Sequence, residues 1–162
     1  MYINEELQNV IEENASLIEQ MVIEIVDKYT FELDKYVRKV EEVLESAEDI
    51  TDEDLNRIMI RLSTFAYFIG AKSELAAIRK DVSEMTKLGK YNDIYINLTS
   101  GTVARKQAEA EVGVQEDTVI FVVYDRVYKI LKNKYDSTVR LIDTVKKITT
   151  QRMKQMELGA KV

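Results

Sequence analysis

Carboxylates are the first side chains in this sequence whose spacing could support chemistry. Glu5, Glu12 and Glu19 are seven residues apart, and a dense group of acids lies at 41–54. Carboxylates on one helix face can bind a divalent cation, or act as an acid and base pair where burial separates their pKa values. Nothing in the surrounding sequence predicts burial, so we interpret both groups as solvated helix faces.

The acids at 49–54 resemble a calcium-binding loop only superficially. Such a loop needs glycine at its sixth position and glutamate at its twelfth. Those two positions are occupied here by Asp54 and Ile60. The sequence therefore predicts no metal site.

The composition excludes most other routes to catalysis. The chain contains no cysteine, histidine or tryptophan, which rules out disulfides, the usual Cys/His zinc sites, thiol nucleophiles and histidine acid–base catalysis. It also has no phosphate-binding glycine-rich loop and no nucleophile elbow. We expect a protein that is not an enzyme and uses no cofactor.

Basic residues near the C-terminus form a second candidate site. Arg126, Arg140, Lys147 and Lys154 share one seven-residue register, with Asn133 in the gap. On a helix they would lie about 10 Å apart along one stripe, which suits a phosphate backbone. The candidate nucleic-acid-binding residues are Arg105, Lys106, Arg126, Lys129, Arg140, Lys147 and Lys154. The alternative is a solvated face whose cations meet the acidic helix of a neighbour.

Aromatic rings can also bind single-stranded nucleic acid, by stacking on its bases. Most of the nine tyrosines are better explained by packing, since Tyr29, Tyr36 and Tyr135 lie at core spacing. Tyr91 and Tyr95 lie in the least regular part of the sequence, and they are the only two that we consider for stacking.

Long helices must position these residues, because the chain has no proline and only five glycines. Apolar residues recur at steps of three and four from Ile11 to Ala47, which predicts a coiled-coil-like helix over about residues 4–48. At about 1.5 Å per residue this helix is on the order of 65 Å long. A partner helix, from this chain or another, must therefore cover its seam.

We expect this first seam to hold copies of the chain together as a dimer or larger oligomer. The residues proposed for the oligomer seam are Ile11, Ile18, Val22, Ile25, Tyr29, Tyr36 and Val40.

A second helix is predicted from Thr51, a good capping residue followed by three acids, to about Gly89. Gly70 and the small residues after it permit another helix to approach closely. The predicted seam consists of Leu55, Ile58, Leu62, Phe65, Ile69, Leu75, Ile78, Val82 and Met85. Together the first two helices form an antiparallel hairpin.

Residues 90–116 are the least regular stretch, and a third long helix is predicted over about 116–157. The partial alternation at 91–98 allows a short strand or an extended segment, and Thr99-Ser100-Gly101 predicts a turn. Val103–Val112 predicts either a short helix or the lead-in to the third long helix. The expected fold is all-α, an elongated hairpin plus a third long helix. Its regions are an acidic hairpin (1–89), an irregular connector (90–116) and a basic C-terminal helix (117–162), together one structural unit.

The net charge of −6 conceals a gradient along the chain. Residues 1–60 hold seventeen acids and five bases, whereas residues 101–162 hold eight acids and twelve bases. This polarity favours head-to-tail association, or an acidic face and an anion-binding face with separate roles. Solvated helix surfaces are the alternative.

Neither the first residues nor the apolar runs of the sequence predict contact with a membrane. The first residues lack the basic and apolar regions of a secretory signal. The longest apolar runs, such as Val119–Tyr124, are far too short to span a bilayer. We expect a soluble, cytoplasmic protein.

Asp117-Thr118 opens an aromatic and aliphatic helix, Lys147-Ile148 and Arg152-Met153 lie near its end, and the basic pair Arg79-Lys80 comes earlier in the chain. In these features the C-terminal third resembles the phage recombination-mediator family (UvsY-like). Members of that family are small, helical and oligomeric, bind single-stranded DNA and help to load a recombinase past single-strand binding protein.

Two functions are therefore expected, and they belong to different classes. The first is a phage-type accessory protein that oligomerises and binds single-stranded DNA or its protein complexes, with a recombinase or single-strand binding protein as further partners. The second is a structural or scaffolding coiled-coil protein of a virion or assembly that binds no nucleic acid.

Overall fold

The computed structural model describes residues 5–46 and 50–159, with side chains from residue 12 onward. Its four helices are α1 (Glu5–Glu45), α2 (Asp52–Asn97), α3 (Val103–Gly113) and α4 (Gln115–Gly159). No strand occurs in these ranges, so the all-α prediction is confirmed. Two acids of the 41–54 group, Glu48 and Asp49, lie outside the described residues, as do Ala47 and the side chain of Ile11.

The predicted helix bounds are close for α1 and α4 but wrong for the end of α2. That helix continues past Gly89 to Asn97, so residues 90–97 are helical rather than irregular or extended. Tyr91, Ile94, Tyr95 and Leu98 are half-buried at steps of three, one and three, which is the period of a helix face. The alternation of Ile94, Ile96 and Leu98 suggested a strand with one buried face, but Ile96 is exposed.

The predicted turn and short helix after α2 are both confirmed. Gly101 has a φ of +113°, a conformation that residues with a side chain rarely adopt. Thr102 then caps α3 by accepting a hydrogen bond from the backbone N–H of Arg105. At Gly113, where α3 ends, a Cβ would lie 2.5 Å from Cδ1 of Ile94, so the glycine permits this close contact.

The chain divides into two compact units, and neither is continuous in sequence. Unit 1 contains the residues up to Val26 and Ser73–Ile130; unit 2 contains Asp27–Lys72 and the residues from Leu131 onward. Each unit therefore takes one part of α1, one part of α2 and one part of α4.

Unit 2 has a core of large aliphatic side chains from three helices. Val40 of α1, Leu55, Ile58 and Leu62 of α2, and Val145 of α4 pack together and are buried. Tyr36 contacts Phe65 with ring centroids 5.7 Å apart, and because Val40 pairs with earlier α2 residues than Tyr36 does, α1 and α2 run antiparallel here.

A close approach in unit 2 confirms the expectation for Gly70. The ring of Tyr135 lies so near that a Cβ on Gly70 would be 3.2 Å from its Cε2 atom. A glycine at this point of α2 therefore lets α4 pack against the helix backbone.

Unit 1 is packed with smaller buried residues. Ser73 and Ala76 are buried on α2, and Ala110 and Val114 are buried around the junction of α3 and α4. Further apolar side chains are buried on α1 and α4, namely Val22, Val26, Val123 and Val127.

The α1 seam proposed as an oligomer contact is covered at two positions by the chain itself. Val22 is buried in unit 1 and Val40 in unit 2. Ile18, Ile25, Tyr29 and Tyr36 are half-buried. Val22 and Val40 therefore have almost no surface left for a contact between copies, because other helices of the same chain cover them. The oligomer seam as a whole stays a prediction.

The predicted seam of α2 is half right. Leu55, Ile58, Leu62 and Ile69 are buried, with Phe65 half-buried. The four residues in unit 1, however, are exposed: Leu75, Ile78, Val82 and Met85. We call these four residues the α2 apolar stripe.

Candidate nucleic-acid interface

The second half of α4, within unit 2, is rich in cations. Residues 131–159 contain seven bases and three acids. The same segment has an apolar face that includes Leu131 and Val145, both fully buried. The cations fall into two groups that differ in their contacts.

Two of the cations hold α4 to the other helices of unit 2. The Lys134 ammonium donates to the Asp34 carboxylate of α1. The Arg152 guanidinium donates to the Ile50 carbonyl and lies 3.9 Å from Oδ1 of Asp52, a buried oxygen that accepts no hydrogen bond among the described residues. Because Lys134 and Arg152 are bound to groups of α1 and the start of α2, they are not available to bind a phosphate.

The cations of the predicted stripe that lie in unit 2 point into solvent. Arg140, Lys147 and Lys154 are exposed, and within the described ranges none of them forms an ion pair. Lys146, Lys147 and Lys154 line a shallow depression of about 390 Å³ with Asp143, Thr150 and Gln151. Unpaired ammonium groups keep their full charge for a mobile anion, so this segment is the strongest part of the candidate interface.

The part of the stripe in unit 1 is weaker. Arg126 is exposed and, among the residues whose side chains are described, has no ion-pair partner. Lys129, by contrast, pairs with Asp125 at 2.7 Å. An anion that bound Lys129 would have to compete with this carboxylate.

The two candidate cations on α3 do not form a comparable surface. Arg105 pairs with Glu109 at 2.8 Å, one turn along the same helix. Lys106 is half-buried. Both residues lie in unit 1, and the Arg105–Glu109 ion pair favours a role for Arg105 in stabilising α3.

The two tyrosines considered for base stacking are already stacked on each other. The rings of Tyr91 and Tyr95 are 6.3 Å apart between centroids and inclined by only 10°. They lie one turn apart in the last part of α2 and are half-buried. Next to them, Lys90 donates to Asp117 at 2.7 Å, a hydrogen bond that raises the pKa of the lysine.

Cations stacked on aromatic rings are a feature of unit 1 that the sequence interpretation missed. Lys80 lies 5.6 Å from the ring centre of Tyr128, and Lys87 lies 5.8 Å from that of Phe121. The two lysines are seven residues apart on α2, and the two aromatic residues are seven apart on α4 in the reverse order, as antiparallel packing of the two helices requires. The matching spacings were a usable signal, since cations attract ring faces.

The basic pair Arg79-Lys80, part of the family resemblance, also makes internal contacts. Arg79 lies 5.7 Å from the ring centre of Tyr124. Lys80 pairs with Asp81 at 3.2 Å, and this hydrogen bond raises the pKa of the lysine. Lys80 is therefore largely satisfied within the chain.

Acidic residues do not converge on a site in the described residues. No group of three or more acidic side chains there could hold a metal ion. In the same part of the chain, no helix is both long enough and apolar enough to cross a membrane.

Comparisons with protein-family models, curated proteins and solved structures found no match to this chain.

Proposed function

We propose that this chain is a non-enzymatic protein that binds single-stranded DNA through the unpaired cations of α4. The observation that carries the proposal is the contrast within one helix segment. Lys134 and Arg152 are held by other groups of unit 2, whereas Arg140, Lys147 and Lys154 extend into solvent at seven-residue spacing.

The chemistry of these side chains favours a flexible polyanion. Successive members of the register are about 10 Å apart along the helix, and lysine and arginine bind phosphate without reading bases. No ring beside them supplies a base-stacking surface in the 390 Å³ depression. A single strand can adjust its phosphates to such a row, and its base sequence should matter little.

The overall charge of the protein makes this a local interaction. At a net charge of −6 the chain repels nucleic acid at long range. Binding therefore depends on the basic face of α4 and should be weak at high salt. In such a role the protein would assist enzymes that act on single-stranded DNA in recombination or replication, as the resemblance to recombination mediators implies.

The test is a salt titration of binding to a fluorescent oligothymidine, followed by anisotropy. Arg140, Lys147 and Lys154 are changed together to Glu. If each phosphate contact contributes about −0.7 to the log–log salt slope of a single strand, losing all three should make the slope less negative by about 2. An oligonucleotide of mixed sequence should give the same result.

A matched control changes three exposed cations of α1 in the same unit, Lys28, Lys35 and Lys39, to Glu. This variant has the same net charge as the α4 variant, so long-range repulsion is equal in both. Retained binding in the control and lost binding in the α4 variant supports the proposal. Equal losses in both variants, or no binding by the wild-type chain even at low salt, contradicts it.

A structural or scaffolding function without nucleic acid is the second candidate. It is favoured by the α2 apolar stripe, whose four large side chains are more than half exposed. A surface of this kind is typical of an assembly contact.

A further inference from the structure

The exposed part of α2 in unit 1 has the pattern of a coiled-coil seam. Leu75, Ile78, Val82 and Met85 follow one another at steps of three, four and three, and they are 51%, 57%, 56% and 72% exposed. Isolated apolar residues on a surface need no explanation. A regular row along one face is different, because that spacing is what lets two helices interlock.

The chain's own packing leaves this row uncovered. The face of α2 that packs within unit 1 carries Ser73 and Ala76, both buried, followed by Lys80 and Lys87 over aromatic rings. The apolar stripe begins two residues after Ser73, which at about 100° per residue is well away from that face. No other described part of unit 1 buries it.

We propose that a second copy of this chain packs on the α2 apolar stripe, with the two α2 helices parallel and in register. Each stripe residue then meets its own counterpart across a twofold axis. Two such rows would interlock, so the four apolar side chains would leave water together.

The charged residues beside the stripe favour this occupant and this orientation. Glu74 immediately precedes Leu75, and Arg79 immediately follows Ile78. In a parallel coiled coil, the residue immediately before the first seam residue of a heptad faces, on the partner helix, the residue five positions later. Glu74 of each copy would therefore face Arg79 of the other.

An antiparallel pair would lose this complementarity. Glu74 and Asp81 immediately precede the seam residues Leu75 and Val82. In an antiparallel pair, residues at this position of the two helices face one another, so these acids would be opposed across the contact. Both acids are exposed, and like charges at these positions disfavour pairing. Arg79 is also exposed, although it lies beside the Tyr124 ring, so its guanidinium is accessible to a carboxylate.

The first measurement is the mass of the full-length chain by sedimentation at micromolar concentration, without nucleic acid. We expect about twice 18.8 kDa for the wild type. Val82→Asp should weaken the dimer by at least about a hundredfold and give the monomer mass, because a carboxylate in the seam would be buried without a partner. The same change at Val112, which is 64% exposed on α3, is the control and should leave the dimer intact.

A second measurement reports on orientation and does not need a destabilised variant. The chain contains no cysteine, so Val82→Cys introduces a single thiol. In the parallel arrangement the two copies of residue 82 are adjacent, and mild oxidation should join them by a disulfide. Val112→Cys should not be joined at the same concentration.

A charge exchange separates the parallel arrangement from the antiparallel one. Glu74→Arg alone should weaken the dimer, and Glu74→Arg combined with Arg79→Glu should restore it.

A wild-type monomer, a Val82→Asp dimer of unchanged affinity or a failure of the exchange to restore binding would overturn the proposal. A wild-type monomer would assign the stripe to a different protein. Since every measurement omits DNA, the outcome is independent of the proposed single-strand binding.

Discussion

The two halves of α2 pack in opposite ways, although they belong to one continuous helix. In unit 2 the helix buries Leu55, Ile58, Leu62 and Ile69, and of these Leu55 and Leu62 have no exposed surface. In unit 1 it buries the small residues Ser73 and Ala76 and leaves Val82 more than half exposed. The same helix thus has its apolar face inside one unit and outside the other.

This difference indicates what each half contributes. Burying large aliphatic side chains supplies most of the favourable free energy of folding, so the first half of α2 should dominate the stability of unit 2. The second half instead buries small side chains and leaves large aliphatic residues such as Val82 exposed. Its apolar surface is available for contact with another molecule.

The largest expected effect is a core truncation in the first half. Leu62→Ala should lower the free energy of unfolding by about 2–5 kcal/mol, since Leu62 is fully buried among Val40, Leu55 and Val145. Val82→Ala, in the exposed half, should change it by less than about 0.5 kcal/mol. Urea unfolding followed by circular dichroism, in dilute protein, measures both values. Similar losses in the two variants would remove the distinction between the halves.

Glycine substitutions give an intermediate effect and compare the halves a second way. A Cβ on Gly89 would contact no side chain or distant backbone atom of the described residues within 4 Å. Gly89→Ala should therefore raise the free energy of unfolding by about 0.5–1 kcal/mol through helix propensity. At Gly70 the added methyl group would meet the Tyr135 ring at 3.2 Å.

Gly70→Ala should therefore be less stable than Gly89→Ala by about 1 kcal/mol, because the ring must move to admit the methyl group. Thermal and urea unfolding of the two variants under one set of conditions would measure the difference. An equal gain in both would mean that α4 tolerates a wider separation from α2 at Gly70.

The smallest expected effect is at the start of α2 and depends on pH. Asp54 accepts hydrogen bonds from the Thr51 N–H and hydroxyl, at 3.1 and 2.6 Å, and its own N–H donates to the Thr51 hydroxyl, as in a capping box. The Thr51 hydrogen bonds lower the pKa of Asp54 below its ordinary 3.8. A lowered pKa in the folded state stabilises the fold above the ordinary value, and that stability is lost as the pH falls through the lowered pKa.

Asp54→Asn should therefore destabilise the chain at neutral pH and match the wild type in strong acid. Thermal unfolding of both proteins across this range would show the gap closing as the pH decreases. A gap independent of pH would mean that the carboxylate charge has no part in the cap.

The helices themselves could be predicted from the sequence because their causes are local. Apolar residues at steps of three and four, the absence of proline and the cap at Thr51 suffice for α1, α4 and the start of α2. The end of α2 could not be predicted, since Gly89 is tolerated inside a helix whose later residues, from Tyr91, make contacts within unit 1.

The error in the α2 seam has a geometric origin. After Ile69 the predicted seam moved to Leu75, a step of six, and six residues at about 100° each fall 120° short of two full turns. The buried face keeps to steps of four and three, through Ser73 and Ala76. The large hydrophobic side chains from Leu75 onward made the exposed face resemble a core face. The face that is buried carries small residues, which a search for hydrophobic periodicity does not detect.

The candidate interface on α4 was predictable only in part. The seven-residue register identified Arg140, Lys147 and Lys154, which are exposed. Sequence alone gave no indication of the roles of Lys134 and Arg152, whose partners lie about a hundred residues away along the chain. Such pairings depend on which helices pack together, and periodicity within one helix does not determine this.

The discontinuity of unit 2 has a consequence for the chain during its synthesis. Leu62 leaves the ribosome long before Val145, yet both belong to one buried cluster. At roughly 5–20 residues per second the interval is on the order of ten seconds. The aliphatic residues of α1 and the first half of α2 therefore stay uncovered by α4 for that time, which gives an aggregation-suppressing chaperone a period in which to act. A chain that ended before Val145 could not complete this cluster.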